Sequence, residues 1–584
     1  MYINIIHRPE PDPFRRSIFK MQQEMAHGLG IRTTILATAP SLFDEETIKL
    51  MKMYHADFGN ELGLSFHTLD SPDIVEIVGY KDAAIWMYTE EDKRKVIRHL
   101  VAKFESVFGF KPTSIGSYHL DASAMRILLE ECPTVKITIA GCFEEGVRVY
   151  HGCNHSWYLF NEGMPWAAWY PSKTHTLRPA KNEEDAFGVV AVPHLTRDMV
   201  LAYEGRNDFW ASHPPNVQRG MGNMGGNCPY DKNLIDQHRF QERFNNGYSY
   251  LNVFVGAQWL IHNHNSEEDP EVSVSLYRQQ LEYIKELVDK GEASCLTMTE
   301  FGEWYKKNVP VTHNEISLAK EILYGSGKHY LWYMDGNLRV LFDLFQGGSI
   351  GDLRPYISEI PVSTGPDTPH GVYGSYPYLI QSQHRTGYLN HFSDGSRTTL
   401  LMNHNGIDVD LADVELKCEE ITEGNKSFTT KTVEIRFGES VCVKMKSSWD
   451  LSQPGRIIIE RELISIEGSG IQELEISEYF KGCYGITDYP EDMKGIILAI
   501  DNEPETSFSF SYRRRKLVKQ SANTVQASIP QINTIVGLSP CDHSSWKGTI
   551  EEGILFNPYY TLKLTRQIKP SNKARICLYL KTMK

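Results

Sequence analysis

The residues of this 584-residue chain best suited to chemistry fall just after short apolar runs. His7-Arg8-Pro9-Glu10-Pro11-Asp12 follows one such run. His67-Thr68-Leu69-Asp70 follows a second, and Glu90 a third. Tyr118-His119-Leu120-Asp121 and His262-Asn263-His264 follow two more. In a (β/α) barrel, side chains at the C-terminal ends of the strands share one mouth. Asp12 and His119 are the expected catalytic pair, an acid and a base brought by different strands. Such a pair suits cleavage of a glycosidic bond, where one group protonates the leaving oxygen and another activates water. Each has a plainer reading. Pro11-Asp12-Pro13 suits a turn or helix start, and His119 suits a core position. Asp121 precedes Ala-Ser-Ala-Met and is expected to cap a helix.

His67, His119, His262 and His264, with Asp70 or Asp12, offer ligands for zinc, but no local spacing resembles a known ligand pair. No metal and no cofactor are expected. His7, Arg8 and His67 are expected to touch substrate at the mouth. Lys173, Arg178 and Arg219 lie in long loops and suit an anionic substrate; Arg178, between Leu177 and Pro179, is the preferred one. Trp157, Trp166, Trp169, Tyr170 and Trp210 crowd the same loops. Aromatic rings of this kind can stack on the apolar faces of sugars or pack the loop onto a barrel, and Trp169 is expected to contact substrate. The glycine-rich segment 220–227, GMGNMGGN, lacks the GxxxxGK[ST] pattern of a phosphate loop.

The elements that must hold these residues alternate strand and helix. Strands are expected at residues 2–6, 33–38, 62–66, 83–88, 114–118, 136–140, 188–192, 251–259 and 294–298. Between the early ones, apolar residues recur at helical spacing, as in Phe14, Ile18, Met21 and Met25. Thr89 and Asp92 look like a capping box opening a helix that ends near Gly109. This rhythm implies a parallel sheet covered by helices. Residues 141–235 break it with Gly, Asn, Pro, Trp and His, which marks a functional insertion. After residue 331 period-two strands dominate, as in Val433, Ile435 and Phe437, and read as an antiparallel sandwich. The expected organisation is therefore a barrel at 1–310, a helical connector at 311–330 and a β-rich sandwich at 331–584.

Composition narrows the function. Lys and Arg number 60 against 74 Asp and Glu, a net charge of −14, which argues against a phosphate-backbone binder. No run of 18 apolar residues spans a membrane, and no basic-then-apolar leader opens the chain. The ten cysteines form no CxxC, so reduced thiols and a cytoplasmic location are expected.

Residues 104–130, FESVFGFKPTSIGSYHLDASAMRILLE, resemble the middle of a polysaccharide-deacetylase (NodB-like) barrel. NELGLSFH at 60–67 and WLIHNH at 259–264 resemble two further strands of that group. Metal-dependent members carry Asp-Asp on strand one and H-[ST]-x-x-H on strand three; here the segments read HRPEPD and HTLDS. The layout also resembles the inverting exo-sialidase family, which implies Asp12, His119 and Arg178 as its site residues. The resulting expectation is metal-independent hydrolysis of an oligosaccharide or glycoconjugate, with a sialoside as its narrowest form, in a deacetylase-like barrel followed by a β-sandwich. A metal-dependent deacetylase and a non-catalytic glycan binder are the alternatives. No nucleic-acid or membrane partner is expected, and a homodimer is compatible with the chain.

Overall fold

The computed structural model describes residues 1–66, 69–81, 85–116, 119–141, 165–194, 199–204, 230–243, 247–254, 256–257, 260, 270–321, 325–358, 376–381, 396–422, 424–468, 472–482, 495–511, 513–542, 544–554 and 558–583. Its first part is a parallel sheet of β1 (Tyr2–His7), β2 (Thr34–Ala37), β3 (Glu61–Ser65), β4 (Ser114–Gly116), β5 (Ile137–Gly141), β6 (Val190–Pro193), β7 (Tyr250–Phe254) and β8 (Ser294–Cys295). The order is β6-β5-β4-β3-β2-β1-β7, with β8 beside the start of β1. β6 and β7, at the two ends, are bridged by Asn252 Nδ2, which donates to the carbonyls of Pro193 at 2.8 Å and His194 at 3.2 Å. The sheet is thus a nearly closed barrel.

Nine helices cover the described barrel: α1 (Pro13–Gly28), α2 (Glu45–Phe58), α3 (Pro72–Val78), α4 (Glu90–Phe108), α5 (Ala122–Glu131), α6 (Met199–Glu204), α7 (Tyr230–Phe240), α8 (Pro270–Asp289) and α9 (Met298–Asn308). Their starts follow local chemistry. Asp12, Asp44, Thr89, Asp121 and Thr297 each accept backbone N–H groups of the first turn, and Thr297 with Glu300 completes a capping box. Along β1 the period of two divides the side chains. Ile3 and Ile5 pack under the helices, whereas Ile6 joins Leu36, Ile137 and Ile139 inside the barrel. Gly63 is needed at the inner wall, because a Cβ there would lie 2.8 Å from both a Leu36 methyl and the Ser114 carbonyl oxygen.

Two expectations are corrected. Residues 85–87 of the expected fourth strand form a 3-10 turn, so β4 is the segment at Ser114–Gly116. The segment 311–330 holds a strand in place of a helical connector: β9 (Glu315–Lys320) pairs with β10 (His329–Met334). Ile316 and Leu318 turn to one side and Ala319 to the other, a period of two that a helix does not produce.

β9 and β10 open a five-stranded antiparallel sheet with β11 (Arg339–Asp343), β12 (Ser349–Arg354) and β13 (Ile380–Gln381). This sheet is the middle layer of the molecule. Tyr330, Trp332, Met334 and Leu341 pack on the barrel core. Leu331, Tyr333, Val340 and Phe342 pack on the remaining β-structure. That β-structure is two further antiparallel sheets sharing one core, for example through Val441–Asp450, where buried and half-buried residues alternate. A barrel followed by antiparallel sheets is the expected architecture.

Trp332 anchors the middle sheet on the barrel core. It is fully buried, 5.3 Å from Trp166 and 5.0 Å from Tyr203, under the Arg339 guanidinium at 4.7 Å. Trp332→Ala should lower the unfolding free energy by about 3–5 kcal/mol in urea titrations followed by circular dichroism. A loss under about 1 kcal/mol would show that the ring does not couple barrel and sheet.

Candidate functional site at the barrel mouth

The segment after β1 is held rigidly from both sides. Pro9 and Pro11 restrict Arg8 and Glu10 to extended backbone, because each precedes a proline. Thr38 Oγ1, just past β2, donates to the Pro9 carbonyl at 3.1 Å. Arg16 Nη1 donates to the Pro11 carbonyl at 3.2 Å and to Asp44 Oδ2 at 2.7 Å. Asp12 then caps α1, accepting from the amides of Phe14 and Arg15 at 3.1 Å.

Below this segment a buried network fixes the end of β1. Gln23 Nε2 donates to His7 Nδ1 at 2.8 Å, so His7 Nε2–H donates to Tyr277 Oη at 2.5 Å. Gln23 Oε1 in turn accepts from Thr33 and Asn60. Burial, with His27 nearby, pushes the His7 imidazole down to about 3. The expected role of His7 as a substrate contact is therefore corrected. As an odd residue of β1 it faces α1 and α8, and both ring nitrogens are engaged there.

Arg8 comes next and stays at the mouth. It is 7% exposed, with its guanidinium 5.3 Å above the Phe254 ring at the end of β7. The His194 ring, beyond β6, packs on the same Phe254 at 4.5 Å. Among the described residues none hydrogen-bonds or ion-pairs with Arg8, and Arg8 Nε is buried without a partner. Glu10 is half-buried. Burial raises its carboxyl above the usual carboxylate value; Arg8 and Arg15 oppose this, and Asp70 and Asp12 add to it. Asp70 is also half-buried, 3.6 Å from the exposed Lys81 ammonium. Arg8, Glu10 and Asp70 thus make a charged cluster over β1 and β3.

The expected pair is not joined. Asp12 is exposed and committed to the helix cap, and among the described residues no hydrogen bond or ion pair links it to His119. His119 is buried against Trp86 at 5.9 Å. Its Nδ1 donates to the Ala140 carbonyl at 3.1 Å, and burial pushes the ring down to about 4, with Asp121 opposing. His175 lies in its field, is 2% exposed and is pushed down to about 3 by burial, with His119 and Arg178 adding. Asp121 is a helix cap in a buried ion pair with Lys93 at 2.7 Å.

Two expected substrate contacts turn inward, and a third is tied to its own loop. Arg178 is fully buried, bonded to Asp185 at 2.8 Å and to Thr174 Oγ1 at 2.8 Å, and it braces its own loop. Trp169 is 3% exposed in the outer core, its Nε1 donating to the Thr176 carbonyl, so neither ring face is open to a sugar. Lys173 is exposed but tied to the Glu184 carbonyl at 2.7 Å. His67, Arg219, His262, His264, Trp157 and Trp210 lie outside the described residues. Among the described residues no three His, Cys, Asp or Glu side chains converge on one point.

Glu10, as the half-buried acid within the field of Arg8, is what sequence reasoning missed. The signal was Pro9 and Pro11, which hold the two charges in fixed places, while Pro13 at the helix start already assigned Asp12 to a cap.

Residues 44–330 match one family model. It is described as a domain of unknown function with a solved structure, DUF3863. No curated protein matches the chain. Among solved structures the chain is similar to a candidate glycoside hydrolase/deacetylase from Parabacteroides distasonis, at 16% identity and TM-score 0.46, over 64% of this chain and 89% of that one. It is similar to 4-alpha-glucanotransferase from Thermococcus litoralis at 6% identity and TM-score 0.31, over 100% and 99% of the two chains. A candidate polysaccharide deacetylase from Mycobacterium smegmatis aligns at 10% identity and TM-score 0.32, over 53% and 92%.

The buried histidines predict acid lability. His7, His119, His175 and His313 all titrate below their ordinary 6.5 in the folded chain, at about 3, 4, 3 and 4. Their contribution is present above pH 6.5 and is lost as pH falls toward those values. Between pH 6.5 and 5, unfolding should take up several protons, each costing about 1.4 kcal/mol per pH unit. The thermal midpoint should fall across that window; a flat midpoint would mean these rings are not buried neutral.

Proposed function

We propose that this chain is a carbohydrate-active hydrolase that cleaves a glycosidic bond at the barrel mouth, with Glu10 as proton donor. The observation that carries this reading is the raised Glu10 carboxyl on a rigidly anchored segment. A general acid must still hold its proton at the working pH, and burial beside other carboxylates achieves that. Asp70, past the end of β3 and two strands from β1, is the second carboxylate. In the proposed step Glu10 gives its proton to the leaving oxygen as the bond to the anomeric carbon breaks. Water attacks that carbon and passes its proton to Asp70. Positive charge on the sugar ring in the transition state is met by carboxylates and hydrogen bonds, a step that needs no metal. The narrowest form of the proposal is an inverting exo-sialidase, which rests on a resemblance of layout alone: an acid on the loop after the first strand and a histidine on a mid-barrel strand.

A panel of aryl glycosides and acetylated sugars tests this. Glu10→Gln should lower kcat/KM on the best glycoside by about 10²–10⁴-fold with an unchanged circular dichroism spectrum. Asp12→Ala should cost about 0.5–2 kcal/mol of stability through its cap and leave kcat near wild type. Turnover should also survive dialysis against EDTA. Loss of turnover that zinc restores, or release of acetate in place of sugar, would overturn the glycosidase reading in favour of a metal-dependent deacetylase.

A further inference from the structure

We propose that the cleft between α7 and the middle sheet is a second carbohydrate site, remote from the mouth, that holds a neutral glycan. The proposal goes beyond the hydrolase reading and does not rest on it. The cleft has a volume of about 610 Å³, within the roughly 300–1,000 Å³ typical of ligand pockets. One wall is α7, through Gln237 and Phe240. The other is formed by β9, by Phe345 in the turn after β11, and by residues 415–418. A cleft of about 820 Å³ adjoins it, with Asp236 and Phe240 in both linings. Met1, Tyr2 and Ser294 also line that second cleft, where β1 and β8 begin. It therefore opens at the end of the barrel opposite the mouth.

Two glutamines one turn apart carry the proposal. Both reach the outer edge of β9, the last strand of the middle sheet. Gln241 is satisfied there: its Nε2 donates to the Leu318 carbonyl at 2.8 Å and its Oε1 accepts the Leu318 amide at 2.8 Å. Gln237 is only half satisfied. Its Nε2 donates to the Lys320 carbonyl, which fixes the amide, and its Oε1 is buried with no partner among the described residues. The residue is 9% exposed and lines the cleft. An amide oxygen withdrawn from water without a donor is costly. A ligand hydroxyl in the cleft, directly or through one bridging water, supplies that donor.

The rest of the lining narrows the ligand. Phe240 is 41% exposed and Phe345 half-buried, and both suit the apolar C–H faces of a sugar ring. The charges balance, Lys320 and Lys417 against Asp236 and Glu415, so the cleft favours neither anion nor cation. The three exposed ones, Lys320, Lys417 and Glu415, offer donors and an acceptor to hydroxyls at the rim. His329 is already engaged, its two ring nitrogens facing the carbonyls of Gly327 at 2.9 Å and Leu416 at 3.0 Å. A ligand that is neutral, apolar on its faces and rich in hydroxyl donors is a glycan. Because Phe240 borders both clefts, a chain of several sugar rings can lie across it.

The test reads binding rather than turnover. Linear tetra- to hexasaccharides of glucose, xylose, mannose and galactose are titrated into the full chain by calorimetry. At least one should bind with a Kd below about 1 mM. Phe240→Ala, at an exposed position, should weaken that binding by about 10-fold or more with an unchanged circular dichroism spectrum, and Phe240→Tyr should retain it. Gln237→Leu should also weaken it; if that variant does not fold, Phe240→Ala decides. No binding up to about 10 mM would overturn the proposal, as would an affinity unchanged in Phe240→Ala. Heparin oligosaccharides that bind more tightly than every neutral chain, with the same dependence on Phe240, would overturn the neutral class. Glycoside turnover without Phe240-dependent binding would uphold the hydrolase and reject this site. Phe240-dependent binding without turnover would do the reverse.

Discussion

A cation that no described residue pairs with organises the mouth of this barrel. Everything around Arg8 holds it in place, and nothing described neutralises it. The His7–Gln23–Asn60 network locks the residue before it, and Thr38 locks the residue after it. Those contacts bury polar groups that are fully satisfied, which makes the end of β1 stiff. Stiffness is what allows an uncompensated charge to persist: a mobile side chain would swing into water. The same stiffness keeps Glu10 half-buried, where desolvation outweighs the two arginines and its carboxyl stays protonated to higher pH.

The β-domain contributes at a distance. Its middle sheet presents Trp332, Met334 and Leu341 to the barrel's outer core, and that core carries the loop 165–194 on which Trp169, His175 and Arg178 sit. Arg178 with Asp185, and Trp169 with Thr176, brace this loop. The buried Arg339–Asp352–Arg354 group on β11 and β12 lies on the barrel-facing side of the same sheet. Tyr203 Oη, on α6, donates to the Gly351 carbonyl of β12 at 2.7 Å, a direct tie between the two parts.

The architecture was legible in the sequence because its signals are local. Alternation of strand and helix implied the parallel barrel, and period-two runs implied the antiparallel sheets. Caps at Thr89 and Asp121 were readable from spacing alone. The 83–88 run and the 311–330 segment misled because short apolar stretches do not distinguish strand, turn and helix without their partners. The site was less legible. Whether Arg178 faces ligand or Asp185, and whether Trp169 stacks on sugar or packs inward, depends on residues distant in the fold. His7 and Arg8 are adjacent and were grouped together; the pleat sends them to opposite sides, one into a satisfied core and one to the mouth. Asp12 drew attention as the last acid of its segment, although Pro13 marked it as a cap.

The property that fits Glu10 to act as an acid is the rise of its carboxyl above the ordinary carboxylate range. It can be measured directly by ¹³C NMR of the chain labelled at glutamate carboxyl carbons, titrated with pH, with the Glu10 resonance identified by its absence in Glu10→Gln. The account predicts that this resonance titrates above the ordinary value of 4.5. Titration at or below 4.5 would mean that the arginines outweigh burial, and Glu10 could not serve as the acid of this site.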